Sequence, residues 1–99
     1  SINFLSEPKY FYSNRWLTCF VTKSYSEREN IRINLEKENI EARPLWKPLH
    51  MQPIFNKFPK YNNGFSENCF SKGLCLPSGS NLTKKEQENI INIIINTIN

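Results

Sequence analysis

The residues best placed to do chemistry lie in one stretch, Arg43-Pro44-Leu45-Trp46-Lys47-Pro48-Leu49-His50-Met51-Gln52-Pro53. It holds the only histidine of the chain, one of its two tryptophans, an arginine and a lysine. Pro44, Pro48 and Pro53 fix their own φ and bias the residues before them towards extended backbone, which forbids a long helix or a central strand. A loop stiffened in this way holds side chains in place at low entropic cost, as a recognition surface requires. Arg43 can pair with a carboxylate or phosphate, Trp46 can stack on a ring, and His50 can donate to a hydroxyl or phosphate oxygen. The same residue types also suit a plain core of Trp46, Leu49 and Met51 with a hydrogen-bonded His50 beside it. Residue type alone leaves both readings open.

Little else in the chain offers catalysis. There is no aspartate, so Ser-His-Asp triads, aspartyl dyads and DxD metal sites are excluded. Cys19, Cys69 and Cys75 form no CxxC pair. They read as reduced, small apolar residues in or near a core, and with His50 they lack the paired spacing of a zinc module. Leu76-Pro77-Ser78-Gly79-Ser80 invites comparison with a phosphate-binding nest but lacks a following Gly-Lys pair, so an ordinary turn into a capped helix is the stronger reading. Asn81-Leu82-Thr83 is a glycosylation sequon expected by chance among fourteen asparagines. Lys57-Phe58-Pro59-Lys60-Tyr61 interleaves bases with aromatics, as single-strand nucleic-acid platforms do, but without strand alternation. The net charge of +4 comes from scattered lysines and arginines, so no nucleic-acid partner is indicated.

Several elements must position these groups. Residues 1–13 read as an extended lead-in without periodicity. Trp16-Leu17-Thr18-Cys19-Phe20-Val21-Thr22 has strand composition. Ser26-Glu27-Arg28-Glu29 matches a capping box and predicts a helix to about Glu38, with Ile31 and Leu35, and beside them Arg32 and Glu36, repeating at one-turn spacing. Asn39 to Arg43 predicts a short second strand, ended or placed at an edge by Pro44. Asn62-Asn63-Gly64 predicts a turn, and a short helix from about Ser66 to Lys72 is expected to end at Gly73 in the C′ position. Leu74-Cys75-Leu76 reads as a third strand. Thr83-Lys84-Lys85-Glu86 is a second capping box, opening a helix on which Ile90, Ile91, Ile94, Ile95 and Ile98 form one apolar stripe. The order predicts an α+β domain, a small three-stranded sheet covered by helices, with the first two strands parallel across their helical crossover.

At 99 residues the chain makes one domain, burying about two thirds of its unfolded surface. No apolar run reaches the roughly 18 residues of a membrane span, no targeting segment is recognisable, and the unpaired cysteines suit a reducing compartment, so a cytoplasmic location is expected. The chain does not begin with methionine, so a fragment or a trimmed chain is expected.

Two segments carry a resemblance. Glu41-Ala42-Arg43-Pro44-Leu45-Trp46-Lys47-Pro48-Leu49-His50-Met51-Gln52-Pro53, followed by Gly73-Leu74-Cys75-Leu76-Pro77-Ser78-Gly79-Ser80-Asn81-Leu82-Thr83, resembles the C-terminal part of the DegT/DnrJ/EryC1/StrS sugar aminotransferases. Within that family it is most similar to the subgroup making 4-amino sugars on UDP, of the UDP-N-acetylbacillosamine aminotransferase kind. Asn14-Arg15-Trp16-Leu17-Thr18 resembles that subgroup's opening strand, so the likeness covers the chain from about Asn14 onward, as a C-terminal small domain at 14–99.

The resemblance implies a fold-type I enzyme, usually homodimeric, that depends on pyridoxal 5'-phosphate held by a large domain. That domain supplies the Schiff-base lysine and an acid facing the pyridine nitrogen. The implied reaction passes an amino group from an amino acid, usually glutamate, to a UDP-linked 4-keto sugar. It also implies that this chain alone is inactive, holds no cofactor and carries no catalytic residue, while His50 faces the sugar nucleotide and Arg43, Trp46 and Lys47 form or brace that wall. The competing class is a free-standing binding module for single-stranded nucleic acid or a protein partner. A module hides its apolar groups, whereas a domain that meets a larger one exposes them, here around Trp46, Leu49, Met51 or Phe55.

Overall fold

The computed structural model describes residues 2–99; Ser1, the first residue of the expected lead-in, lies outside them. Four short strands form one sheet: β1 (Asn3–Phe4), β2 (Cys19–Val21), β3 (Arg43–Pro44) and β4 (Gly73–Cys75). Their order is β1-β2-β4-β3, and every neighbouring pair is antiparallel. Three helices accompany them, α1 (Tyr25–Lys37), α2 (Phe65–Lys72) and α3 (Lys84–Ile98).

The expected α+β class holds, but the three-stranded count does not. The lead-in contributes β1, whose Asn3 and Phe4 face Val21 and Phe20. Its two residues are too few to show a period, and the Phe4–Phe20 ring contact at 5.9 Å helps hold them in place. The two strands flanking α1, β2 and β3, run in the same direction as the crossover predicts. They are not neighbours, because β4 lies between them and pairs antiparallel with both. Pro44 sits on an edge strand, where its missing donor costs nothing.

Strand pairing separates the two faces of the sheet. Phe20 and Leu74 point to one face and are buried with Ile31 and Leu35 of α1 and Ile90 and Ile94 of α3. Burial of these six apolar side chains is the main stabilising term. On the opposite face, Cys19, Cys75 and Arg43 form one row across β2, β4 and β3.

Helix α1 starts earlier than the Ser26 box predicts. Ser24 is the N-cap: its Oγ accepts from the Glu27 N–H at 3.1 Å, while Glu27 accepts from the Lys23 N–H at 2.8 Å. Glu29 is unavailable for capping because it binds Arg28 and Arg32 at 2.7 and 2.6 Å. Arg28 is buried, donating from Nε to the Ser71 carbonyl at 3.2 Å and packing over the Tyr25 ring. At the other end Asn39 adopts a left-handed φ of 58°, and Ile40 N–H returns to the Leu35 carbonyl, a Schellman closure. The residues expected to open the second strand therefore terminate the helix, and β3 is confined to Arg43 and Pro44.

Gly73 also differs from expectation, since its φ of −94° is extended. It is required for space: a Cβ there would collide with the Leu45 side chain and the Cys69 carbonyl oxygen. The α3 capping box forms as predicted, with Thr83 Oγ1 accepting from Glu86 N–H and Glu86 accepting from Thr83 N–H. Only Ile90 and Ile94 of its stripe are buried; Ile91 and Ile95 stay exposed beside an apolar groove of about 370 Å³ that also includes Phe4 and Phe20.

Candidate functional site

The outer face of the sheet carries an open cavity of about 630 Å³, lined by Arg43, Trp46 and Lys47 together with Leu17, Phe70, Cys75 and Ser78 among others. Edge strand β3 presents Arg43 opposite Cys75. Beyond Pro44 the ladder stops after the Leu45 N–H bonds the Gly73 carbonyl at 3.2 Å. The stiff segment then leaves the sheet and leads Trp46 and Lys47 past the cavity.

Trp46 meets Trp16, their ring centroids 5.9 Å apart and the planes inclined by 36°. Both indoles are mostly exposed. This pair brings the expected opening strand to the proline-rich loop, a contact no spacing in the sequence announces. Only Cys19 to Val21 of the predicted Trp16–Thr22 strand forms the ladder, because the Thr18 N–H donates to the Ser78 hydroxyl at 2.8 Å instead. Ser78 donates onward to the Leu76 carbonyl at 2.9 Å. Its hydroxyl thus serves as a clasp at the rim, in keeping with the ordinary-turn reading of Leu76–Ser80.

Arg43 is paired with Glu41 at 2.6 Å, with both side chains mostly exposed. Ion pairs of this kind contribute little in water, so the guanidinium remains exchangeable for a stronger anion. Glu41 lines the same cavity and had no signal of its own in the sequence.

His50 is not among the residues lining this cavity. It lies on the 3-10 turn Leu49–Met51, and its Nε2 meets Glu67 Oε1 of α2 at 2.6 Å. Asn62 Nδ2 donates to the same Glu67 oxygen at 2.7 Å, and Asn62 Oδ1 accepts from the Gly64 N–H at 2.8 Å. The predicted Asn62-Asn63-Gly64 turn therefore both starts α2 and braces the histidine. The His50 hydrogen bond, followed by that of Asn62, holds the Glu67 carboxyl below its ordinary value. Among the described residues His50 Nδ1 makes no hydrogen bond.

The core reading of the proline-rich loop is overturned. Trp46 is 64% exposed, Leu49 71%, Met51 37% and Phe55 41%. Phe11, Ile54, Phe58 and Phe65 are exposed as well. Among the described residues no group of three metal-ligating side chains occurs, and no helix is long and apolar enough to cross a membrane.

Comparison with known proteins adds three findings. The sequence model of the DegT/DnrJ/EryC1/StrS aminotransferase family matches residues 3–95. Among curated proteins, one from Bacillus subtilis, named as the pyridoxal phosphate-dependent aminotransferase EpsN, is 42% identical over 98 residues, covering 95% of this chain and 25% of that protein. GDP-perosamine synthase of Escherichia coli O157:H7 is 30% identical over 81 residues, covering 81% of this chain and 22% of the enzyme. Among solved structures, a DegT DnrJ EryC1 StrS aminotransferase from Brucella abortus superposes with a TM-score of 0.80 at 23% identity, over 96% of this chain and 26% of that one. The chain thus spans about a quarter of the length of the relatives it matches.

Proposed function

Because the chain belongs to the DegT/DnrJ/EryC1/StrS aminotransferase family, we propose that it is the C-terminal small domain of a pyridoxal phosphate-dependent sugar aminotransferase, closing one side of the cleft in which a UDP-linked 4-keto sugar becomes a 4-amino sugar. The observation that carries the reading is the cavity that gathers Arg43, Trp46 and Lys47 on the sheet face opposite the core. Its two cations and its aromatic ring match a nucleoside diphosphate in charge and shape. Arg43 exchanges Glu41 for a phosphate oxygen, Lys47 adds a second positive charge, and Trp46, backed by Trp16, offers a stacking face. His50 is assigned to the sugar, with Glu67 fixing the ring through Nε2 and Nδ1 directed to a hydroxyl.

The cavity does not suit the cofactor. Lys47 is exposed, and Glu41, the only carboxylate in the lining, is already paired with Arg43. We therefore assign pyridoxal phosphate, and the amino donor, expected to be glutamate, to the remainder of a homodimeric enzyme. No chemical step is assigned to this chain; its residues bind, orient and cover. The exposure of Trp46, Leu49, Met51 and Phe55 favours a domain that meets a larger one over a free-standing module for nucleic acid or protein.

Tryptophan fluorescence tests the site. A UDP-sugar titrated into the chain should quench Trp16 and Trp46 saturably, and Arg43→Ala should weaken binding by about tenfold or more, the worth of a charge-assisted hydrogen bond. An identical response from the free sugar lacking UDP, or an unchanged Arg43→Ala isotherm, would remove the nucleotide assignment.

A further inference from the structure

We propose that Cys19 and Cys75 form a thiol–disulfide modification site, which a low-molecular-weight disulfide converts into a cross-strand disulfide clamping β2 to β4 beside the Arg43 cavity. The two cysteines are directly opposed in the antiparallel β2–β4 pair. The Leu76 N–H donates to the Thr18 carbonyl at 2.9 Å, which makes Cys19 and Cys75 a non-hydrogen-bonded pair. At such a position facing side chains approach most closely, about 4.5 Å between Cα atoms, within the range a disulfide spans. Their Sγ atoms are already 3.2 Å apart. Closure to about 2.05 Å requires rotation of the two side chains. Both residues are half-buried, so a small disulfide can reach them, while Cys69 lies apart on α2.

The chemistry balances without another reactant. Burial, reinforced by the hydrogen bond with Cys19, pushes the Cys75 thiol up to about 12, so Cys75 keeps its proton, and in the proposed order Cys19 attacks first. The Cys19 sulfur attacks the external disulfide, releasing one small thiol and leaving a mixed disulfide. Cys75 then gives its proton to solvent, its sulfur attacks the Cys19 sulfur, and the second small thiol departs. Two S–H bonds of the protein and one external S–S bond become one internal S–S bond and two external thiols. The pair loses two electrons and the external disulfide gains them. Proximity at 3.2 Å offsets the low ionisation of Cys75, and the second step accelerates as pH rises.

The location gives the bond a consequence. Cys75 lines the cavity and sits between Cys19 on one side and Arg43 on the other. The cross-link would join strands 56 residues apart in sequence and fix the wall that carries Arg43.

The test is to incubate the chain with excess oxidised glutathione, alkylate it under denaturing conditions and map the peptides. The expected product has lost two hydrogens, links the Cys19 peptide to the Cys75 peptide, and leaves Cys69 alkylated. Cys69→Ser should give the same cross-link, whereas Cys75→Ser should stop at a Cys19–glutathione adduct. The oxidised chain should also melt higher by on the order of 10 °C, returning to the reduced value with dithiothreitol. Three alkylated thiols, stable glutathione adducts on both Cys19 and Cys75, or a link through Cys69 would overturn the assignment. The mapping of the unsubstituted chain decides the matter even where Cys75→Ser fails to fold.

Discussion

Glu67 shows how a single carboxylate positions a functional candidate. It accepts from His50 Nε2 at 2.6 Å and from Asn62 Nδ2 at 2.7 Å, so the ring of the only histidine is oriented by a residue seventeen positions away. These hydrogen bonds lower its pKa from the ordinary 4.5. A depressed carboxylate contributes stability above the unfolded value, and that contribution is lost as pH falls through the lower folded value. Nuclear magnetic resonance titration should therefore show α2 loosening at the Gly64 and Phe65 amides as pH falls below the ordinary carboxylate value. Glu67→Gln should abolish that acid transition. A transition of equal size in Glu67→Gln would assign it to another group. In a full-length enzyme, His50→Ala should impair sugar-nucleotide turnover more than cofactor loading; unchanged kinetics would make His50 structural. The stiffness of the His50 loop was legible from Pro44, Pro48 and Pro53. The Glu67 partnership was not, because it depends on the path of residues 52 to 64, which have no regular period.

At the scale of elements, the helices were the most legible part because their signals are local. The Thr83–Glu86 box and the Ile90–Ile94 spacing of α3 both appear in the structure as read. Thr83→Ala should cost about 1 kcal/mol in denaturant unfolding, since the Glu86 amide loses its acceptor. Leu35→Ala, at a fully buried position between the sheet and α3, should cost about 2–5 kcal/mol. A loss below that range would show that the α1–α3 contact collapses around the gap. Strand boundaries were less legible. Ladders here are two or three residues long, and hydrogen bonds such as Thr18 N–H to Ser78 Oγ, formed across 60 positions, decide where each one stops. The α1 start was misplaced for a related reason: Ser24 and Ser26 both fit a capping box, and Arg28 and Arg32 claim Glu29 and leave Ser24 as the cap.

Across the whole molecule, one sheet face is covered by α1 and α3, while the other bears the cavity with the exposed Trp46 and its neighbour Trp16. Such a surface suits a domain completed by a larger one. If the cofactor belongs to that larger part, pyridoxal phosphate added to this chain should give no stable aldimine absorbance. A stoichiometric, borohydride-trapped adduct at one lysine would show otherwise. Composition and motif order were sufficient for the α+β class, the capped amphipathic helices, the scarcity of catalytic groups and the family. Those properties rest on residue type and on neighbours within a few positions. Folding was needed to make β1 a fourth strand, to set Cys19 against Cys75, to bring Trp16 against Trp46, and to separate His50 from the cavity that holds Arg43, Trp46 and Lys47. Each depends on strand order and register, which arise when distant segments bury their apolar side chains together.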